Sequence, residues 1–236
     1  MNTQVIEIFK KLISSGKHFN VKLLGDSITH GVGGSGFSQN GEPIVPGYAR
    51  SPYCNCWANS FKAYMEGKYD CTVNNNACTG TNIEFVIEKF DALTASDDDV
   101  VICTIGTNNR HQYFKNGPKR TKEDMESGFY SNIIKLHEKF EKAGIPVIFV
   151  ANIPAALSNE VDGEDYWRIM NMGDINALYK KAKEALGYPF VSLYELFYAY
   201  CEKNSVTVDS LLADGLHPNN EGHAVMFELL KQELAL

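Results

Sequence analysis

Four short polar blocks hold the residue types of nucleophilic acyl chemistry: GDSITHG at 25–31, NNNACTGTN at 74–82, GTNNRH at 106–111 and ADGLHPNNEGH at 213–223. A serine hydroxyl is a weak nucleophile at neutral pH until an adjacent base accepts its proton. Histidine suits that task because its ordinary pKa lies near neutrality. A carboxylate on the second ring nitrogen fixes tautomer and orientation. Asp214 and His217 stand three residues apart, so one turn brings both side chains to the same side. Each block alone also has an ordinary structural explanation. G-D-S is a common turn sequence and differs from the G-x-S-x-G elbow of α/β-hydrolases. D-x-x-H occurs in solvated turns and helix caps, and a glycine after a strand serves backbone geometry.

What joins the blocks is their place among the elements. Five apolar, β-branched runs predict strands at 21–25, 71–77, 99–106, 145–153 and 188–194. Helical periodicity fills the segments between them, at 55–68, 81–93, 122–144 and 172–187, and again after Asn219 or Asn220. Val5, Ile6, Phe9, Leu12 and Ile13 recur at helical spacing near the N-terminus. Gly144 and Gly187 read as C-caps and Asp174 as an N-cap. Strands that are nearly continuous apolar runs, alternating with helices, predict a parallel sheet covered on both faces, in a single domain over 1–236. The first three polar blocks end the first three strands and the fourth precedes the last helix. In such sheets ligands bind beyond the carboxyl ends of the strands, where strand order reverses. The long segments Val32–Tyr53 and Pro154–Gly173 read as irregular loops that would wall such a site.

Bulk properties narrow the partners. With 44% apolar and 22% charged residues, the 236-residue chain reads as an ordinary globular protein. The net charge of -7 and the lack of Lys/Arg clusters argue against a nucleic-acid surface. The first residues hold no run long enough for a signal h-region or a membrane span, so a cytoplasmic location is the simplest expectation. Cys54 and Cys56 lack the paired C-x-x-C spacing of a zinc ribbon, and all six cysteines are expected as free thiols. Asp97, Asp98 and Asp99 read as a solvated turn. No metal and no cofactor are expected.

In the order and placement of its blocks the chain resembles the SGNH (GDSL-type) esterases and acylhydrolases over nearly its whole length. Gly25-Asp26-Ser27-Ile28 is the first block. Asn75-Asn76-Ala77-Cys78-Thr79-Gly80 answers to N-x-G-x-x-G with Ala77 for the first glycine. Gly106-Thr107-Asn108-Asn109 answers to G-x-N-D with Asn109 for the aspartate. Asp214-Gly215-Leu216-His217-Pro218 matches D-x-x-H-P in full. The resemblance implies a flavodoxin-like three-layer α/β/α sandwich with a five-stranded parallel sheet. It implies Ser27 as nucleophile, His217 as general base and Asp214 as its orienting acid. The oxyanion donors would be the Ser27 and Gly80 N–H groups and the Asn108 amide, a donor that needs no titration. Asp26 is expected in a structural hydrogen bond, because neighbouring side chains on an extended segment diverge.

These residues predict hydrolysis of a carboxylic ester through a serine acyl-enzyme. The loops are rich in Gly, Ser, Asn and aromatics, which suits a sugar better than a fatty chain. Tyr48, Tyr53, Trp57, Tyr166 and Trp167 are candidates for stacking on a sugar, and Gln39, Asn40 and Arg110 for binding its hydroxyls. An oligosaccharide or small-molecule ester is therefore the expected partner, and removal of O-acetyl groups the expected reaction. A lysophospholipase or thioesterase is the enzymatic alternative, and a non-catalytic carbohydrate-binding protein the alternative of another class. His30 and His111 are candidate pocket walls, His223 a packing or capping residue, and His18 and His137 surface residues.

Overall fold

The computed structural model describes residues 3–112, 119–160 and 168–236. Five parallel strands, β1 (Phe19–Gly25), β4 (Cys71–Asn75), β5 (Val100–Thr104), β6 (Val147–Ala151) and β7 (Phe190–Ser192), form one sheet in the order β4-β1-β5-β6-β7. Phe19 pairs with Cys71 on one side of β1, and Gly25 with Thr104 on the other. Successive strand residues enter opposite cores. Leu23, Ile102, Ile148 and Val150 pack towards α1 (Thr3–Ser14), α3 (Trp57–Lys68), α9 (Leu193–Asn204) and α10 (Asn220–Leu234). Leu24, Val101, Cys103 and Phe149 pack towards α4 (Ile83–Glu88), α5 (Phe90–Leu93), α6 (Lys122–Ala143) and α8 (Met172–Leu186). Dry on both faces, β5 and β6 carry no polar alternation, whereas Asn20 and Lys22 in β1 and Thr72 and Asn74 in β4 alternate with buried apolar residues. This is the expected three-layer sandwich. The order reverses at β1, which opens a crevice at that strand's carboxyl end.

Several local expectations change. Segment 81–93 is two short helices, α4 and α5, that meet at Lys89. The N-cap of α8 is Asn171: its Oδ1 accepts from Asp174 N (2.8 Å) while Asp174 Oδ2 accepts from Asn171 N (2.8 Å). Asp174 is the third helical residue of that capping box. Strand β7 is shorter than expected because Ser192 caps a new helix, α9, accepting from Glu195 N (3.1 Å). The loop after Val32 contains a hairpin, β2 (Pro43–Val45) and β3 (Tyr48–Ala49), turned by Pro46-Gly47 with Gly47 at φ +86°. Gly144 and Gly187 do close α6 and α8 in left-handed conformations.

The outer edge of β4 is occupied by side chains. Val73 N donates to Glu66 Oε1 (2.8 Å) and Val73 O accepts from Lys62 Nζ (2.8 Å), both from α3, where the two charges also pair. All six cysteines are buried free thiols. Among the described residues, no helix is long and apolar enough to cross a membrane.

Candidate active site

Ser27 opens α2 (Ser27–His30), a single turn directly after β1. Asp26 caps that turn, its Oδ1 accepting from Ile28 N (3.1 Å) and its Oδ2 from Asn152 Nδ2 (3.2 Å). The structural role expected for Asp26 holds. The side chain is fully buried, which pushes its carboxyl above the ordinary value. Asn152 also donates to Thr107 Oγ1 (2.9 Å), so one amide ties the Ser27 turn to the loop that carries Asn108. The sequence reading missed Asn152. Its signal is an asparagine directly after a wholly apolar strand, on the same rim as the other blocks.

Asp214 and His217 lie in the loop before α10. The loop is pinched by Ala213 N donating to His217 O (2.7 Å) and by the bridge between Leu212 and Pro218. Asp214 Oδ1 accepts from Leu216 N (3.0 Å) and His217 N (2.8 Å), and its Oδ2 from His217 Nδ1 (2.7 Å). With a carboxylate on Nδ1, that nitrogen carries the proton. Nε2 is then the acceptor, 2.9 Å from Ser27 Oγ. Burial opposes the charge of Asp214, but the hydrogen bonds from His217 and Leu216 outweigh it and hold the carboxyl below its ordinary range. The two loops meet where Gly33, at φ +93°, passes His217 and Pro218: a Cβ there would lie 2.2 Å from Pro218 O. A backbone this close requires glycine.

Gly80 stands in a left-handed turn at φ +72°, with open space where a side chain would project. His30 braces this loop. Its Nε2 lies 2.9 Å from Ala49 O, which makes that nitrogen the donor, and Nδ1 accepts from Thr79 Oγ1 (2.8 Å). Burial lowers its pKa, so His30 acts as a neutral brace. Asn108, in the turn Thr107–Arg110, donates from Nδ2 to Thr81 O (2.7 Å), which aims its amide at the Gly80 loop. Ala77 is wholly buried in that loop, where its small side chain fits.

The remaining candidates divide. Arg110 is fully buried and donates to Thr107 O (3.0 Å) and to Asn159 O (2.8 Å) in the short helix α7 (Leu157–Glu160). It is a scaffold inside the wall, a correction to its expected place against substrate. Trp57 is also fully buried, which removes it as a stacking surface. Tyr53 is 79% exposed, and Gln39 and Asn40 face solvent. Tyr48 sits edge-on to Phe85. Trp167 and Tyr166 lie outside the described residues. His111 pairs with Arg168 in an isolated bridge. His223 packs as expected, near Val32 O (3.2 Å), and burial pushes it down to about 4. Asp98 is buried against Lys22 Nζ (3.2 Å), which corrects the solvated-turn reading; Asp97 and Asp99 are exposed. Among the described residues, no three His, Cys, Asp or Glu side chains group as metal ligands.

A flavodoxin-like sheet with a serine, an acid–histidine pair and amide groups gathered at its carboxyl rim marks a class, the hydrolases of the three-layer α/β/α fold. The chain belongs to the GDSL-like lipase/acylhydrolase family, whose model matches residues 23–225. It is a carboxylic ester hydrolase of the GDSL/SGNH type. Among solved structures it is similar to the acetylxylan esterase Axe2 from Geobacillus stearothermophilus, at 15% identity and TM-score 0.65 over 92% of this chain and 94% of that one. A lipase/acylhydrolase from Enterococcus faecalis aligns at 18% identity and TM-score 0.63, over 92% and 95%. A two-domain esterase (CEX) active on acetylated mannans aligns at 20% identity and TM-score 0.65, over 98% of this chain and 52% of that one. No curated protein sequence matches the chain.

Proposed function

We propose that the protein removes O-acetyl groups from a carbohydrate, through an acyl-enzyme on Ser27 activated by His217 and Asp214. The observation that carries this reading is the continuous relay from Asp214 Oδ2 through His217 (2.7 Å) to Ser27 Oγ (2.9 Å). Ser27 Oγ attacks the ester carbonyl while His217 Nε2 takes the hydroxyl proton. The carbonyl oxygen becomes an oxyanion facing the Gly80 and Ser27 N–H groups and the Asn108 amide. Collapse breaks the bond to the sugar oxygen, which receives the proton from His217 and leaves as an alcohol. Water, deprotonated by His217, then attacks acetyl-Ser27. Collapse breaks the acyl bond to Oγ, His217 returns its proton to Ser27 Oγ, and acetic acid leaves, ionising to acetate. Asp214 keeps the imidazole in one tautomer and stabilises the imidazolium at each proton transfer.

The acetylated-sugar activities of the xylan and mannan esterases, together with the polar loops, support the substrate class. The test is an ester panel run with wild type and Ser27→Ala, alongside fluorophosphonate labelling. Expected are hydrolysis of acetylated xylo- or manno-oligosaccharides, labelling at Ser27, and loss of both in the variant. Preference for long-chain acyl esters or acyl thioesters would replace the deacetylase with a lysophospholipase or thioesterase. Sugar binding without labelling would indicate a binding protein.

A further inference from the structure

At position 109 the chain carries asparagine where the resembling sequences carry aspartate, and its surroundings are matched to the amide. Asn109 is buried. Its Oδ1 accepts from Ile83 N (3.1 Å) and its Nδ2 donates to Glu84 Oε2 (2.8 Å). The other Glu84 oxygen accepts from Asn132 Nδ2 of α6 (3.0 Å). Ile83 and Glu84 form the first turn of α4, two residues beyond Thr81. Thr81 is itself fixed, its Oγ1 donating to Cys78 O (2.7 Å) while its carbonyl receives the Asn108 amide (2.7 Å). Gly80 and Asn108 therefore belong to two loops that are clamped together at Thr81 and again at Ile83 and Glu84.

We propose that Asn109 is a positioning residue that sets the separation of the Gly80 and Asn108 oxyanion donors by anchoring one loop to Glu84 on the other. The inference rests on the esterase reading above. The hydrogen-bond inventory makes it specific. An aspartate at 109 would keep an acceptor for Ile83 N but would face Glu84 with no proton to donate. Two carboxylates in contact would then push the loops apart. A glutamine at 84 restores the complement, because its amide donates to the introduced carboxylate while its oxygen still accepts from Asn132. With Asn109 unchanged, Glu84→Gln is tolerated: the half-buried Asn132 amide turns over to accept from the glutamine Nε2.

The test is a double-mutant cycle of Asn109→Asp and Glu84→Gln, with rates normalised to active sites titrated by fluorophosphonate. The binding of a short alkyl boronic acid, whose tetrahedral adduct on Ser27 places an oxygen between the donors, is measured in parallel. Expected for Asn109→Asp is a fall in kcat of about 10- to 100-fold, with KM held and boronate affinity falling in step. Glu84→Gln stays near wild type, and the double variant recovers to within about threefold of it. A role in stability alone would lower the Tm and leave kcat per titrated site and boronate affinity in place, which overturns the proposal. So does a double variant no better than Asn109→Asp. If Asn109→Asp does not fold, Glu84→Ala, which removes the anchor with Asn109 in place, must lower kcat and boronate affinity together; unchanged values overturn the proposal. Failure of the esterase reading shows earlier, as wild type that neither labels at Ser27 nor hydrolyses esters.

Discussion

The molecule contains the same hydrogen-bonded relay twice. At the carboxyl rim, Asp214 Oδ2, His217 and Ser27 Oγ are linked at 2.7 and 2.9 Å. At the opposite end of the sheet, Asp70 Oδ1 lies 2.7 Å from His18 Nδ1, and His18 Nε2 lies 3.1 Å from Thr72 Oγ1. The surroundings differ. The His217 side chain is 17% exposed and its acid 55%, whereas His18 is 49% exposed and Asp70 78%. Thr72 stands within β4, far along the strand from the loops of Gly80 and Asn108. An acid–histidine–hydroxyl chain forms readily wherever three side chains meet. Its chemical value comes from a shielded imidazole and from donors already aimed at the oxyanion.

Removing each histidine breaks the comparison most sharply. His217→Ala is expected to lower kcat about 10⁴- to 10⁶-fold, while His18→Ala stays within about twofold of wild type, since no proposed step uses it. Comparable losses in both, in the same ester assay, would show that the two relays are coupled. The Asn108 amide comes next. Asn108→Ala should cost roughly 10²–10³ in kcat with Ser27 still labelled, and a loss below tenfold would take Asn108 out of the oxyanion site.

The smallest effect separates the two acids. The Asp70 hydrogen bond leads the causes that raise the His18 pKa above 6.5, against a smaller opposing burial effect. Its contribution to stability is therefore present below pH 6.5 and lost as pH rises through the folded value. Asp214 runs the other way: its depressed pKa gives stability above pH 3.8 that is lost only as pH falls through the folded value. An NMR titration of the His18 ring should shift back towards 6.5 in Asp70→Asn, and an unmoved curve would contradict the pairing.

What the sequence shows of this fold follows from what is local. Strands β1, β5 and β6 are legible because both their faces are buried, as Leu23 and Leu24 illustrate by entering opposite cores. The blocks of the site are legible because each is contiguous and ends a strand or precedes the last helix. Contacts between distant segments are not. Arg110 reads as a donor to substrate hydroxyls, but two carbonyls, one of them 49 residues away, take its guanidinium inside. Trp57 reads as a stacking surface beside a polar loop, yet in the helix expected over 55–68 it is fully buried in the core. Asp98 looks solvated until Lys22 of β1 meets it. The start of α9 and the Pro46-Gly47 hairpin did carry local signals, Ser192-x-x-Glu195 and a proline–glycine turn, inside a run and a loop that read otherwise.

The outer margin of β4 bears on how copies of this protein meet. A bare strand edge is a template, because its free N–H and C=O groups invite a strand from another chain. Here Glu66 and Lys62 already hold the central rung at Val73. An incoming strand would have to strip away two hydrogen bonds and separate an ion pair before gaining its first rung. Helix α3 thus has a second duty beside covering the core: it closes the sheet to intermolecular growth at this margin.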